Sequence, residues 1–423
     1  MKQNFKKDMF VTGFAMFAMF FGAGNLIFPP FLGWTSGKNW IVGFLSFILV
    51  DVGLAMLALL VVAKIGKGAM GISEKLGKNV SFVIMALNVI CLGPLIAIPR
   101  TGATTFEFAV KPVFTNASSW VFSAIFFGIV IILSIRQTKA IDITGTVLAP
   151  IMFLALIYLV FVGAVSPIGE IVNAGDTTAV IKEGVLSGYQ TMDLMAALVF
   201  SAGLLVSVKD KGYRTVPQQF KILAFSGVVC AAALFVVYGG LTYLGATISS
   251  VYETAAQSDL LIRITNELLG GKGVIALGVI VGTACLTTAI GLVSSSASFF
   301  AQATDNKINY KVTVVVVSLV SFLLSNMGIN TIIQFAAPIL DLIYPVLVVL
   351  IFMGLFKERI KSKHVYMLTS IVTLATCVII QLEKIVGRET VNLYMPLGEY
   401  GFAWVLPAVI TLLVSNALIK SNK

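Results

Sequence analysis

The sequence predicts an all-α integral membrane protein with twelve transmembrane helices. Three observations predict it. First, apolar residues make up 58% of the 423 residues, charged residues only 11%, and the mean hydropathy is +0.99. An average soluble chain is about 25% charged, so a soluble globule of this composition could not cover its own surface. Second, twelve runs are apolar over about the 20 residues that a bilayer-spanning helix needs. They are 8–30, 40–63, 80–102, 118–135, 142–165, 187–207, 222–247, 273–300, 311–326, 331–355, 365–382 and 400–418. Third, Lys and Arg crowd into alternate loops. Lys64, Lys67, Lys75 and Lys78 follow span 2, Lys209, Lys211, Arg214 and Lys221 follow span 6, and Lys357, Arg359, Lys361 and Lys363 follow span 10. The opposite loops share only Lys38, Lys111, Lys182, Arg263, Lys272, Lys384 and Arg388. Basic loops stay in the cytoplasm, so both termini are expected there. That bias accounts for the net charge of +10 without an acidic partner. A soluble enzyme, a disordered chain and a nucleic-acid binder are excluded.

The first span follows Lys2, Lys6 and Lys7, as a signal peptide would, but it is too long and has no small-residue cleavage site. It reads as a retained helix, interrupted by Gly22, Gly24 and Pro29-Pro30. Glycine costs about 1 kcal/mol against alanine inside a helix. The two glycines serve either close helix packing or a local unwinding, which lipid tolerates only beside a cavity or ligand. An unwound span offers N–H groups at a positive helix end for an anion, and freed carbonyls for a cation.

Span 6 repeats this text: Phe200-Ser201-Ala202-Gly203-Leu204 matches the start of Phe21-Gly22-Ala23-Gly24-Asn25-Leu26. The two spans are five apart and so run in opposite directions. This is the mark of an inverted five-plus-five repeat, with halves at 1–165 and 187–355 and two further helices over 365–418. A break in span 6 is expected around Ala197 to Gly203.

Span 8 contains Ala284-Cys285-Leu286-Thr287-Thr288. Ala284, Thr287 and Thr288 share one helix face. Their neutral oxygens suit an alkali cation, or the hydroxyls simply bond the preceding turn. Ser294, Ser295 and Ser296 read as close helix packing. Three acids lie inside spans, where each costs about 2.5–3.5 kcal/mol on insertion scales. Asp193 is a candidate coupling group, gate or helix clamp, Asp341 a candidate for an outer gate, and Asp51 a structural residue. Arg100, after Pro99, is expected to pair with an acid at the outer surface.

Catalytic chemistry is not supported. The single histidine, His364, sits among basic residues at the start of span 11, and no H-E-x-x-H, P-loop or G-x-S-x-G occurs. Cys91, Cys230, Cys285 and Cys377 all fall in apolar runs and read as buried small hydrophobes rather than disulfides. A passive channel would want a filter or a ring of side chains, and none is visible. A coupled transporter remains.

Three stretches carry a family resemblance: F-A-M-F-F-G-A-G-N-L-I-F-P-P (Phe17 to Pro30), L-G-P-L-I-A-I-P-R-T (Leu92 to Thr101) and T-M-D (Thr191 to Asp193). Together they resemble the branched-chain amino acid carrier family, BrnQ, along essentially the whole chain. The resemblance implies symport of leucine, isoleucine and valine across a bacterial inner membrane, driven by sodium or by protons. It also implies the LeuT-type fold, with broken helices 1 and 6 and no cofactor beyond the coupling ion. In that fold the Gly22-Ala23-Gly24-Asn25 stretch would hold the substrate. The Ala23 and Gly24 N–H groups would take the carboxylate and the Phe20 carbonyl the amino group. Asn25 matches a side chain that serves a substrate-adjacent sodium in some members. Ala197, Phe200 and Ser201 would contribute from span 6, with Phe200 as a ring wall or gate. Sodium would sit on Ala284, Thr287 and Thr288 with the Ala18 and Phe21 carbonyls. The neutral threonine pair favours sodium over the proton-driven alternative.

Overall fold

The computed structural model describes residues 4–66, 68–135, 149–172, 176–360 and 362–419. Residues 142–148 of the expected fifth span, and basic residues 136 and 139 before it, lie outside the described residues. Among the described residues every regular element is helical. The longer helices are α1 (Phe5–Phe20), α2 (Ala23–Ser36), α3 (Trp40–Ile48), α4 (Leu54–Ile65), α5 (Lys78–Ile90), α6 (Ala97–Thr105), α7 (Ser119–Ile135), α8 (Ala149–Val165), α9 (Thr177–Thr191) and α10 (Asp193–Asp210). Then come α11 (Val216–Thr247), α12 (Leu260–Ala303), α13 (Tyr310–Ser325), α14 (Ile329–Leu355), α15 (Lys363–Ile385) and α16 (Val405–Leu418). Among the described residues seven stretches are long and apolar enough to cross a membrane: Ala23–Ile65, Lys78–Val110, Thr177–Asp210, Val216–Thr247, Leu260–Ala303, Ile329–Leu355 and Lys363–Ile385. Four shorter apolar helices accompany them.

Two sets of helices pack among themselves. One is α1, α2, α3, α4, α9, α10 and α11; the other is α6, α7, α12 and α13. The closest packing is α2 on α11. A Cβ on Gly33 would fall 1.8 Å from the Thr242 carbonyl oxygen, and one on Gly245 would fall 1.9 Å from the Pro30 oxygen. Only glycine lets these backbones touch. Phe17, Phe21 and Tyr238 stack in sequence at 5.3 and 5.9 Å and seat α1 on α11. Close packing also holds for Ser296 of span 8, whose hydroxyl lies 2.8 Å from where a Gly93 Cβ would sit.

Three interruptions set the site. Between α1 and α2, Phe21 and Gly22 are extended (φ −74°, ψ 91°; φ −113°, ψ −169°). Between α5 and α6 the chain runs through the wide turn Cys91–Leu95, where Gly93 leaves helical geometry (ψ −111°) and Pro94 lacks an N–H. Between α9 and α10 a single residue, Met192, adopts the left-handed conformation (φ 67°, ψ 20°).

The last interruption corrects an expectation. The helix runs unbroken through Ala197 to Gly203 and stops instead at Met192, so Asp193 opens the second half-helix rather than preceding the break within the first. One glycine among good helix formers does not break a helix. Nothing lies within 4 Å of a Gly203 Cβ, and the Ser201 hydroxyl bonds back to the Leu198 carbonyl at 2.6 Å. The four cysteines are buried and free.

Candidate functional site

The three interruptions meet. At the first, the Gly22 N–H is diverted from the Ala18 carbonyl and donates to Asn25 Oδ1 at 3.3 Å. The last bond of α1 runs from the Phe21 N–H to the Phe17 carbonyl. The carbonyls of Ala18 to Phe21 therefore lie past the helical ladder, and the first N–H groups of α2 face the gap.

At the second break the freed ends are held from other helices. Arg100 of α6 donates from Nη1 to the Gln190 carbonyl at 2.7 Å and from Nη2 to the Thr191 carbonyl at 3.4 Å. The Leu194 N–H, in the first turn of α10, donates to the Tyr344 hydroxyl at 3.4 Å. Tyr344 in turn stacks on Tyr189, with ring centres 4.4 Å apart. The Thr191 hydroxyl lies 2.7 Å from Asp51 Oδ1 and 2.6 Å from the Gly188 carbonyl.

The breaks are joined by a polar network. Asn25 Nδ2 donates to Asp193 Oδ2 at 3.1 Å and to the Tyr238 hydroxyl of α11. Asp51, from the wide turn Leu49–Gly53 between α3 and α4, joins the second break through the Thr191 hydroxyl, two residues before Asp193. Asp51, Asp193 and Arg100 are 0%, 2% and 3% exposed. Effective desolvation costs several kcal/mol per buried ion. The groups are tolerated here because each meets hydrogen-bonding partners or an opposite charge.

A cavity opens among these groups with about 30 Å³ of water-accessible space. Its polar lining includes Asn25, Arg100, Thr101, Thr191, Asp193 and Thr288; its apolar lining includes Met19, Phe20, Leu92, Ala97, Ala196, Phe200 and Leu292. It therefore lies between the two sets of helices.

Of the expected binding residues, Phe20, Gly22, Ala23, Asn25 and Phe200 line this cavity. Gly24 lies beneath Arg100: a Cβ there would fall 2.7 Å from Arg100 Nη2. Ala197 and Ser201 are fully buried but sit one helical step from the cavity face that Ala196 and Phe200 form. Thr288 lines the cavity, while the Thr287 hydroxyl donates to the Ala284 carbonyl at 2.8 Å. Asp341 is tied elsewhere, accepting from Lys384 at 2.9 Å and Gln381 at 2.8 Å on α15.

Arg100 corrects a second expectation. Lying past the Gly93-Pro94 kink, it is buried, lines the cavity and pairs with the Gln190 and Thr191 backbone carbonyls. Asp51, Tyr238 and Tyr344 do not line the cavity but brace the breaks through Thr191, Asn25 and the Leu194 N–H. For Asp51 the signal was its intramembrane charge. Buried tyrosines in apolar spans carry no local signal.

Half-helices meeting around a buried polar cavity between two helix sets give this chain a fold shared with solved membrane transporters. A nucleobase-cation-symport-1 family transporter, Mhp1, in a closed conformation with bromovinylhydantoin bound, superposes with a TM-score of 0.64 at 14% identity over 97% of this chain and 91% of its own. A substrate-bound, outward-open Na+-coupled sialic acid symporter gives a TM-score of 0.62 at 13% identity over 98% and 91%. The chain belongs to the branched-chain amino acid transport protein family, whose model matches residues 5–422. The branched-chain amino acid permease BraB of Bacillus subtilis (strain 168) is 33% identical over 97% of this chain and 95% of its own length. The family is one of multi-pass membrane transporters, not enzymes.

Proposed function

We propose that this chain is a secondary active symporter that imports leucine, isoleucine and valine, coupled to sodium. The observation that carries the reading is the lining of the cavity at the two breaks. It offers both signs of charge, in Arg100 and Asp193, beside apolar walls from Leu92, Phe200 and Leu292. A branched-chain amino acid presents the same three features. An aliphatic wall discriminates one methylene by only about 1–3 kcal/mol, so all three substrates fit one site. The family match and the permease BraB support the substrate class.

In this reading the Ala23 and Gly24 N–H groups face the substrate carboxylate and the Phe20 carbonyl its ammonium group. About 30 Å³ holds roughly two water molecules, so binding requires the two helix sets to part. Sodium binds Ala284, Thr287 and Thr288 with the Ala18 and Phe21 carbonyls; the Na+-coupled sialic acid symporter of similar fold supports a sodium site in this fold. Residues 1–165 and 187–355 form the inverted repeats and 365–418 two added helices. The chain sits in a bacterial inner membrane with both termini in the cytoplasm, as its basic loops favour.

A proton-coupled carrier of the same substrates is the second reading. It is favoured by two buried acids at the second break, Asp51 beside Thr191 and Asp193 beside Asn25, since intramembrane acids mark proton relays in transporters. Radiolabelled leucine uptake into proteoliposomes, with sodium and pH gradients imposed separately, tests both. Accumulation driven by the sodium gradient alone supports the first reading and by the pH gradient alone the second. Equilibration without accumulation means a passive channel.

A further inference from the structure

Arg100 has more to give than it is using. Its two hydrogen bonds, from Nη1 to Gln190 and from Nη2 to Thr191, both leave from the end of the guanidinium. Nε is fully buried and has no partner. Nη2 carries a second N–H beyond the one given to Thr191, so with Nε it forms a planar pair of donors that matches the two oxygens of a carboxylate. Both acceptors now in use are neutral carbonyls, and Asp193, the acid in the same cavity lining, is hydrogen-bonded to Asn25 rather than to this 3% exposed guanidinium.

The neighbourhood of that edge is also suited to an anion. Nη2 lies 2.7 Å from the position of a Gly24 Cβ, in the first turn of the 14-residue helix α2. The positive end of α2 and the guanidinium thus converge on one side of the cavity, which both Arg100 and Ala23 line. The Phe28 ring, 5.8 Å from Cζ, packs the guanidinium.

We propose that Arg100 is a substrate-binding residue, whose Nε–Nη2 edge takes the α-carboxylate of the transported amino acid together with the N-terminus of α2. This rests on the amino acid carrier reading above and adds to it a side-chain ligand from the opposite helix set. Binding through Arg100 would then link α6 to α2 across the cavity. The same residue already holds the end of α9, so the occupied site would pull both half-helix ends onto α6.

The test compares leucine with leucinamide, which keeps the ammonium group and side chain but lacks the carboxylate. Ligand-induced thermal stabilisation of the purified protein is titrated with each compound for wild type, Arg100→Gln and Arg100→Lys. Wild type should prefer leucine by ~100-fold, from two charge-assisted hydrogen bonds. Arg100→Gln should weaken leucine by ~100-fold and leucinamide little, so the preference collapses. Arg100→Lys keeps the charge but not the fork, and should retain ~10-fold preference. If either folded variant keeps the wild-type preference, Arg100 only braces the break and the proposal is overturned; Arg100→Lys decides the matter should Arg100→Gln fail to fold. A wild type stabilised by leucine and leucinamide equally also overturns it, while leaving the carrier reading standing. A wild type that responds to no branched-chain amino acid overturns the carrier reading, and this inference with it.

Discussion

Asn25 of α2 donates to the carboxylate of Asp193 at 3.1 Å, although 168 residues separate them. The bond joins the start of one half-helix to the start of another, so the two breaks form one unit. Asn25 also caps its own break through the Gly22 N–H, and its amide reaches Tyr238 on α11. Replacing Asn25 by Ala strands Asp193 Oδ2 and removes the cap together. A buried group left unpaired costs about 1–3 kcal/mol. Asn25→Ala and Asp193→Asn should therefore each lower thermal stability in detergent and impair leucine uptake. The double variant should cost less than the sum of the two. Strict additivity would show that the bond carries no energy.

The location of the second break gives a contrast between two positions. Gly203→Ala should leave uptake unchanged and raise stability by up to ~1 kcal/mol, because the site is helical and its Cβ meets nothing within 4 Å. Met192→Val should abolish uptake, because a β-branched residue resists the left-handed conformation found there. Impaired uptake in Gly203→Ala would return the break to the Phe200–Leu204 stretch.

The difference between those positions shows what the sequence reveals and what it hides. The all-helical, apolar character is legible because apolar length is written locally, and seven stretches among the described residues have the length to cross a membrane. The first break is legible because Gly22, Gly24 and Asn25 are themselves poor at continuing a helix. The second break is hidden. Thr191-Met192-Asp193 contains no glycine, and the left-handed turn is held by Arg100 on its carbonyls, Tyr344 on the Leu194 N–H and Asp51 beside Thr191. All three holders come from distant spans. The place of Arg100 is hidden for the same reason: its partners, the Gln190 and Thr191 carbonyls, lie some ninety residues away in the chain.

Gly24→Val should abolish leucine binding while the protein still folds. The added Cβ would fall 2.7 Å from Arg100 Nη2 and 3.3 Å from the Phe28 ring, so the guanidinium must move. Gly24→Ala should show the same loss in milder form, at least ~10-fold in a scintillation-proximity assay, the equivalent of about 1.4 kcal/mol. Normal leucine binding by Gly24→Val would exclude the first turn of α2 from the site.

Phe200 lines the cavity and is 7% exposed. Phe200→Ala should weaken leucine and isoleucine more than alanine, since the larger side chains lose the apolar contact. The expected loss is about 1–3 kcal/mol for leucine. Unchanged relative affinities for leucine, isoleucine, valine and alanine would remove Phe200 from the substrate wall.

The last prediction concerns coupling. Ala18 loses its helical N–H partner at the first break, because Gly22 turns to Asn25, and its carbonyl is left to find another cation or donor. The Thr287 hydroxyl spends its proton on the Ala284 carbonyl, which leaves its lone pairs as acceptors, and Thr288 lines the cavity itself. A sodium ion shared by these oxygens would tie α1 to α12, members of the two separate helix sets. A ligand shifts a conformational equilibrium only by its differential affinity for the two states. An ion that bridges both sets when they close, and only one when they part, has that differential. Sodium should then tighten leucine and leucine tighten sodium by the same factor. Thr287→Val and Thr288→Val delete one oxygen each at nearly constant shape. Both should raise the sodium concentration for half-maximal uptake by ~10-fold, with a smaller effect on leucine affinity at saturating sodium, as expected for losing about 1.4 kcal/mol of ion binding. Equal leucine binding in sodium and choline at fixed pH, with uptake that follows an imposed pH gradient, would discard this site and leave the two acids Asp51 and Asp193 as the coupling element.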